Sequence, residues 1–128
     1  MDSKSEQKAW NKVRYSQKFM NALRGIGVFF HLTKARDLAV YIISSIIVVS
    51  LGLYFRVSSS EWTALVFAIG LVIVSETFNT AIEIDIDLTS PEYHPYARDT
   101  KDVAAAAALL SVFTAIIVGL MIFLPKIF

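Results

Sequence analysis

Three long apolar runs constrain this chain more than any other feature of its sequence. Residues 38–55 and 103–124 carry no charged side chain over 18 and 22 positions. The middle run, 62–75, is equally free of charge but continues into residues 76–87, which include several carboxylates. Because about 20 apolar residues span a bilayer core of roughly 30 Å, the outer runs are long enough to cross a membrane. The middle run qualifies only if its carboxylates lie inside the membrane or at its edge.

The apolar runs predict an all-α membrane protein. Hydrophobic residues make up 55% of the chain and the mean hydropathy is +0.57, above the ~45–50% apolar content of soluble domains. A soluble three-helix core is the alternative, but a soluble helix would carry a polar face along the first run. The sequence therefore predicts one domain, 1–128, with an amphipathic surface helix at about 5–32 and transmembrane helices at about 37–56, 61–87 and 102–125.

The basic residues predict the orientation of these helices. Eight of the twelve precede the first run: Lys4, Lys8, Lys12, Arg14, Lys18, Arg24, Lys34 and Arg36. Only Arg56 lies in the first connection, whereas the second contains Arg98 and Lys101. The positive-inside rule then places the N-terminus and the second connection in the cytoplasm. A nucleic-acid partner is not expected.

The segment before the first run has an amphipathic pattern. Apolar residues recur at spacings of three, four or seven, with basic residues between them: Trp10, Val13, Met20, Leu23, Gly27 and Phe30. This pattern is typical of a helix that lies in the headgroup plane. A helix packed only on other protein is the alternative.

Residues 76–87 place polar groups on one side of the second transmembrane helix. At 100° per residue, Glu76, Asn79, Glu83 and Asp87 share an arc of about 80°, and Asp85 lies opposite. Carboxylates inside a membrane are costly and need compensation. The stripe either holds helices together by hydrogen bonds, or binds a hard cation such as Mg²⁺ and supplies a base. Both interpretations remain open on the stripe alone.

The segment 87–102 favours the chemical interpretation. Proline follows the residues at positions 90 and 94, so we expect an ordered connection rather than a continued helix. Lys101 then lies at the mouth of the third transmembrane helix, which Asp102 is placed to cap. A lysine beside carboxylates suits the handling of phosphate, although an ordinary interfacial lysine is the alternative. The chain has no cysteine and no P-loop, protein-kinase or nucleophile-elbow motif.

The motifs of this region resemble those of a known family. E-T-F-N-T-A-I-E-I-D-I-D at 76–87, S-P-E-Y-H-P at 90–95 and K-D-V-A-A at 101–105 resemble the prokaryotic diacylglycerol kinase family of small integral membrane lipid kinases. The resemblance covers about residues 19–125, and its core signature, E-x-x-N-[ST]-A-x-E-x-x-x-D, is specific. The last two motifs are closer to the undecaprenol kinase branch than to the diacylglycerol kinase branch.

The resemblance implies a function and a site. It implies ATP- and Mg²⁺-dependent phosphorylation of a lipid alcohol, undecaprenol or diacylglycerol, at the cytoplasmic face of the bacterial inner (plasma) membrane, by a homotrimer with shared active sites. Glu76 would be the catalytic base and Glu83 a magnesium ligand. The residues expected to bind the nucleotide and its metal are Asn79, Glu83, Asp87, Glu92, Tyr93, His94, Lys101 and Asp102.

One position departs from the family pattern. Just before the first transmembrane helix the family usually has a glutamate that is a second metal ligand, and this chain has Ala35 there. We expect Asp37 to compensate in part, which requires residues 35–37 not to be helical, because positions two apart on a helix point about 200° apart. A catalytically impaired member is one alternative. Others are an oligomeric cation or proton transporter that uses Glu76 and Glu83, and a scaffold with a structural stripe.

Overall fold

The computed structural model describes residues 3–10 and 15–128, which form five α-helices. They are α1 Ser3–Trp10, α2 Tyr15–Leu32, α3 Ala35–Tyr54, α4 Ser59–Thr89 and α5 Pro95–Ile127. The chain divides into two compact units, residues 1–33 and 34–128. Helices α3, α4 and α5 are long and apolar enough to cross a membrane. The expected all-α fold with three candidate membrane spans is confirmed.

The N-terminal unit contains α1 and α2. Residues 11–14, part of the expected surface helix, lie outside the described residues, as do the side chains of Lys8 and Trp10. Helix α2 exposes large apolar side chains at Phe19, Met20, Leu23, Ile26 and Phe30. The membrane-surface location of this unit stays a prediction.

Helix α3 ends in a Schellman motif. The Arg56 N–H donates to the Leu53 carbonyl at 3.3 Å, and the Val57 N–H donates to the Gly52 carbonyl at 3.1 Å. Arg56 adopts the left-handed φ of 51° that this motif requires, although glycine is the usual residue there. The motif satisfies the last carbonyls of α3 and turns the chain into α4.

Helix α4 begins with a capping box. The Glu61 N–H donates to Ser58 Oγ at 3.3 Å, and the Ser58 N–H donates to Glu61 Oε2 at 2.8 Å. Glu61 Oε1 also pairs with Lys126 Nζ of α5 at 3.0 Å. Nearby, the ring of Trp62 lies against Gly52, where an added Cβ would be 2.5 Å from the nearest ring carbon. These contacts fix all three membrane helices at what we name the turn end, residues 52–65 and 118–126.

The main apolar core lies at the turn end. It consists of the buried residues Val57, Leu65, Ile122 and Phe123 and the half-buried residues that pack on them. Helices α4 and α5 pair extensively, whereas α3 contacts α4 at far fewer positions. On α5, the small residues Ala104, Ala108 and Ser111 are buried, which suits close helix approach.

The connection between α4 and α5 is shorter than expected. Only residues 90–94 separate the two helices, because α5 begins at Pro95 rather than near residue 102. His94 is the N-cap, and its Nδ1 accepts from the Tyr96 N–H at 3.2 Å. The prediction that Asp102 caps this helix is wrong, because a proline is favoured at the first position of a helix and starts this one.

Candidate functional site at the polar end

A continuous helix carries the polar stripe. Because α4 runs without a break from Ser59 to Thr89, Glu76, Asn79, Glu83 and Asp87 follow one another along the same face. Glu76 and Asn79 are half-buried, whereas Glu83 and Asp87 are exposed. Asn79 Nδ2 donates to Glu83 Oε1 at 3.4 Å. The stripe thus passes from the packed bundle to its open end, which we name the polar end, residues 35–41 and 76–102.

Lys101 faces the stripe from α5. Its Nζ lies 2.6 Å from Asp87 Oδ1 and close enough to the Glu83 carboxylate for their charges to interact. The Lys101 and Asp87 side chains are 39% and 68% exposed, so water screens the pair and it contributes little to stability. The structure therefore brings a cation against two carboxylates at a place that a charged ligand can reach.

The remaining residues expected from the resemblance are less closely gathered. Glu92, Tyr93 and Asp102 are exposed, and within residues 15–128 no hydrogen bond or ion pair joins their side chains to the stripe. The His94 imidazole is engaged in capping α5. The structure thus brings together Asn79, Glu83, Asp87 and Lys101 and leaves the other four at the rim.

Helix α3 contributes two residues near the stripe, of which the sequence interpretation considered Asp37 but missed Tyr41. The Tyr41 side chain lies near enough to the Glu76 carboxylate for an electrostatic interaction, and Asp37, one turn earlier, is near enough to Tyr41 for a weaker one. The first run was treated as a uniform apolar span. The sequence pattern that could have revealed this polar face of α3 is the i, i+4, i+7 spacing of Asp37, Tyr41 and Ser44.

The start of α3 corrects the expectation for Asp37. Because α3 begins at Ala35, residues 35–37 are helical and the condition for Asp37 to replace a glutamate at position 35 is not met. Asp37 instead lies on the face of Tyr41, and its Oδ1 accepts from Arg36 Nε at 3.4 Å. Ala35 points to another side of α3.

The donor chemistry of the stripe fits magnesium, although one chain supplies few ligands. Among residues 3–10 and 15–128, no three His, Cys, Asp or Glu side chains converge as a metal site. Asn79 Oδ1 is buried without a hydrogen-bond partner, beside the carboxylate of Glu83. Mg²⁺ prefers such oxygen donors and is usually held by one or two carboxylates together with substrate phosphates. The residues present fit a metal held jointly by protein and nucleotide.

An apolar cavity of about 470 Å³ lies between α3, α4 and α5. Its lining includes Tyr41 and Ser44 of α3, Val72 and Ile73 of α4, and Val112 and Ile116 of α5. The cavity lies between the core of the turn end and the polar stripe.

These features define an integral membrane protein in which a carboxylate stripe meets a lysine at one end of the bundle. The family profile described as prokaryotic diacylglycerol kinase matches residues 20–123. The chain belongs to this family and is a lipid kinase, which confirms the resemblance seen in the motifs.

Characterised relatives include both branches of the family. The undecaprenol kinase of Bacillus subtilis (strain 168) is 33% identical over 98% of this chain and 99% of its own length. The diacylglycerol kinase of Synechocystis sp. is 31% identical over 77% of this chain and 57% of its own length. The diacylglycerol kinase of Helicobacter pylori (strain ATCC 700392 / 26695) is 34% identical over 61% of this chain and 62% of its own length. No solved structure matches the chain significantly.

Proposed function

We propose that this protein transfers the γ-phosphate of ATP to the hydroxyl of a membrane lipid alcohol, with Mg²⁺, at the cytoplasmic face of the bacterial inner membrane. The observation that carries the proposal is the contact of Lys101 with Asp87, beside Glu83, on the helix that also bears Glu76. Carboxylates and a lysine on one surface are what phosphoryl transfer needs, because it depends mainly on positioning and charge neutralisation.

The depth of each residue suits its proposed role. Glu76 is half-buried within α4, where a lipid hydroxyl entering between the helices can donate its proton to the carboxylate. Lys101 lies further out and neutralises phosphate oxygens. The nucleotide occupies the open side of the stripe, with Glu92, Tyr93, His94 and Asp102 around it.

The magnesium site would use the middle of the stripe. Glu83 and Asn79 supply oxygen donors, and Asn79 Oδ1 has no other partner. When bound, Mg²⁺ supplies charge neutralisation at the β- and γ-phosphates. Because two donors of one chain leave most of the coordination sphere to ATP and water, the metal and nucleotide are expected to bind together.

We propose undecaprenol as the preferred substrate. The support is the near full-length similarity to the Bacillus subtilis undecaprenol kinase, compared with the shorter matches to diacylglycerol kinases. The lipid-facing residues do not favour either lipid on physical grounds.

We also propose a homotrimer with active sites shared between subunits. Large apolar side chains remain exposed along α3, α4 and α5, such as Ile46, Phe67 and Leu110. Lipid covers part of this surface, and other copies of the chain can cover the rest. A second copy would also add donors to a site that has few within one chain.

The test is a direct assay of phosphoryl transfer. Purified protein in mixed micelles is given radiolabelled ATP, Mg²⁺ and either undecaprenol or diacylglycerol, and the label in each lipid is measured. We expect label in undecaprenol at the higher kcat/KM. A tenfold preference for diacylglycerol would overturn the substrate assignment, and label in neither lipid would overturn the kinase proposal. Nothing in the described residues favours the transporter alternative.

A further inference from the structure

Tyr41 stands out because it lies between the apolar cavity and the carboxylate stripe. Tyr41 lines the apolar cavity between α3, α4 and α5, and its side chain lies near enough to the Glu76 carboxylate for an electrostatic interaction. The side chain is half-buried. Tyrosine suits such a boundary, because its ring packs against apolar groups while its hydroxyl binds a polar partner.

The helix register places Glu76 directly beyond the cavity. Val72 and Ile73 of α4 line the cavity, and Glu76 follows them by four and three residues, on the same face of the helix. On α3, Ser44 and Ser45 also line the cavity. Tyr41 precedes them by about one turn and so lies nearer the polar end. Tyr41 therefore lies where the cavity meets the stripe, next to the proposed base.

We propose that Tyr41 is a positioning residue for Glu76: its hydroxyl donates to one carboxylate oxygen and leaves the other free to accept the proton of the lipid hydroxyl. An ionised carboxylate has room for several donors on its two oxygens, so both bonds can exist together. Without the Tyr41 hydroxyl beside it, the carboxylate keeps more side-chain freedom. This inference rests on the proposed function of Glu76.

The competing explanation is that Tyr41 only fills space between the helices. The substitution Tyr41→Phe separates the two, because it keeps the ring and removes the hydroxyl. Positioning predicts that kcat falls about tenfold, the effect of one hydrogen bond to a charged group. The KM values for ATP and lipid and the melting temperature in detergent should stay close to those of the parent. Tyr54→Phe is the matched control, because Tyr54 is 78% exposed on the same helix at the turn end.

A double-mutant cycle tests whether Tyr41 acts through Glu76. We expect Tyr41→Phe to have no further effect on the residual turnover of Glu76→Gln, because the carboxylate that it positions is already gone. Parental kcat in Tyr41→Phe, or an equal loss in both backgrounds, would overturn the inference while leaving the proposed function intact. Parental turnover in Glu76→Gln, or no lipid phosphorylation by the parent protein, would instead overturn the proposed mechanism, and this inference with it.

Discussion

The two ends of the membrane bundle differ in how their polar groups are satisfied. At the turn end, Glu61 accepts from the Ser58 backbone and pairs with Lys126, and both charged side chains are less than 30% exposed. At the polar end, Lys101 and Asp87 form a shorter pair, 2.6 Å against 3.0 Å, but are 39% and 68% exposed. The same two helices, α4 and α5, are therefore bridged at both ends in unlike surroundings.

The difference separates stability from chemistry. At the turn end, the polar groups satisfy one another's hydrogen bonds, and the ion pair of Glu61 with Lys126 adds to the stability of the buried apolar core. At the polar end, Asn79 Oδ1 has no partner and most carboxylates are exposed. Unused acceptor capacity in the folded chain is what a ligand can bind. We therefore expect substitutions at the turn end to lower stability and those at the polar end to lower turnover.

The largest contrast should come from the two lysines of α5. We expect Lys101→Met to lower kcat about 10²–10³-fold and to raise the KM for ATP, because a charge that stabilises the transition state is lost. Lys126→Met, at the turn end of the same helix, is the matched control and should lower the melting temperature while turnover per folded protein is kept. Steady-state kinetics and thermal melting in detergent measure both. Unchanged kinetics in Lys101→Met would break the comparison.

The close packing of Gly52 against Trp62 should control stability. A Cβ at Gly52 would be 2.5 Å from the Trp62 ring, so Gly52→Ala should lower the free energy of unfolding by about 1–3 kcal/mol through overpacking. Gly70→Ala is the control, because no atom lies within 4 Å of the corresponding Cβ, and it should be neutral or slightly stabilising. Equal unfolding curves for the two variants would contradict the account of the turn end.

A smaller effect is expected at the start of α3. Because residues 35–37 are helical, Asp37 does not take the place of a glutamate at position 35, and Asp37→Ala should leave the Mg²⁺ concentration for half-maximal turnover unchanged. Ala35→Glu should lower that concentration by a few-fold, because it adds a carboxylate where the family resemblance implies a metal ligand. The magnesium dependence of turnover distinguishes the two variants. A higher Mg²⁺ requirement in Asp37→Ala, with no change in Ala35→Glu, would show that Asp37 serves the metal site.

The smallest effect should arise at Arg56. Its φ of 51° is in the left-handed region, which glycine adopts at lower cost than other residues. Arg56→Gly should therefore raise the free energy of unfolding by about 1 kcal/mol without changing kcat. Chemical unfolding in mixed micelles measures the difference, and a destabilised variant would show that the arginine side chain stabilises the turn.

The sequence predicted the membrane helices better than it predicted the site. Three apolar runs dictate three long helices, because a helix satisfies the backbone hydrogen bonds of each run in lipid. The stripe on α4 followed from helical periodicity alone. Two expectations failed at helix starts. His94-Pro95 was interpreted as a break but starts α5. The compensation by Asp37 required residues 35–37 not to be helical, and α3 begins at Ala35.

Contacts between distant helices were beyond the sequence argument. The approach of Tyr41 to Glu76 depends on how α3 packs on α4, and the pairing of Lys101 with Asp87 depends on a connection of only five residues, 90–94. Neither contact follows from periodicity. Periodicity shows which residues share a face of one helix, but not which other helix packs against that face.

The most direct test of the separation between the two ends compares two glutamates on α4. Glu76→Gln and Glu61→Gln remove the same charge from one helix, and both variants are assayed for lipid phosphorylation and thermal melting. We predict that Glu76→Gln loses about 10²–10⁴-fold in turnover, the contribution of a positioned general base, at an unchanged melting temperature. Glu61→Gln should keep its turnover and melt at a lower temperature. Near-normal turnover in Glu76→Gln would remove this residue from the mechanism and contradict the account.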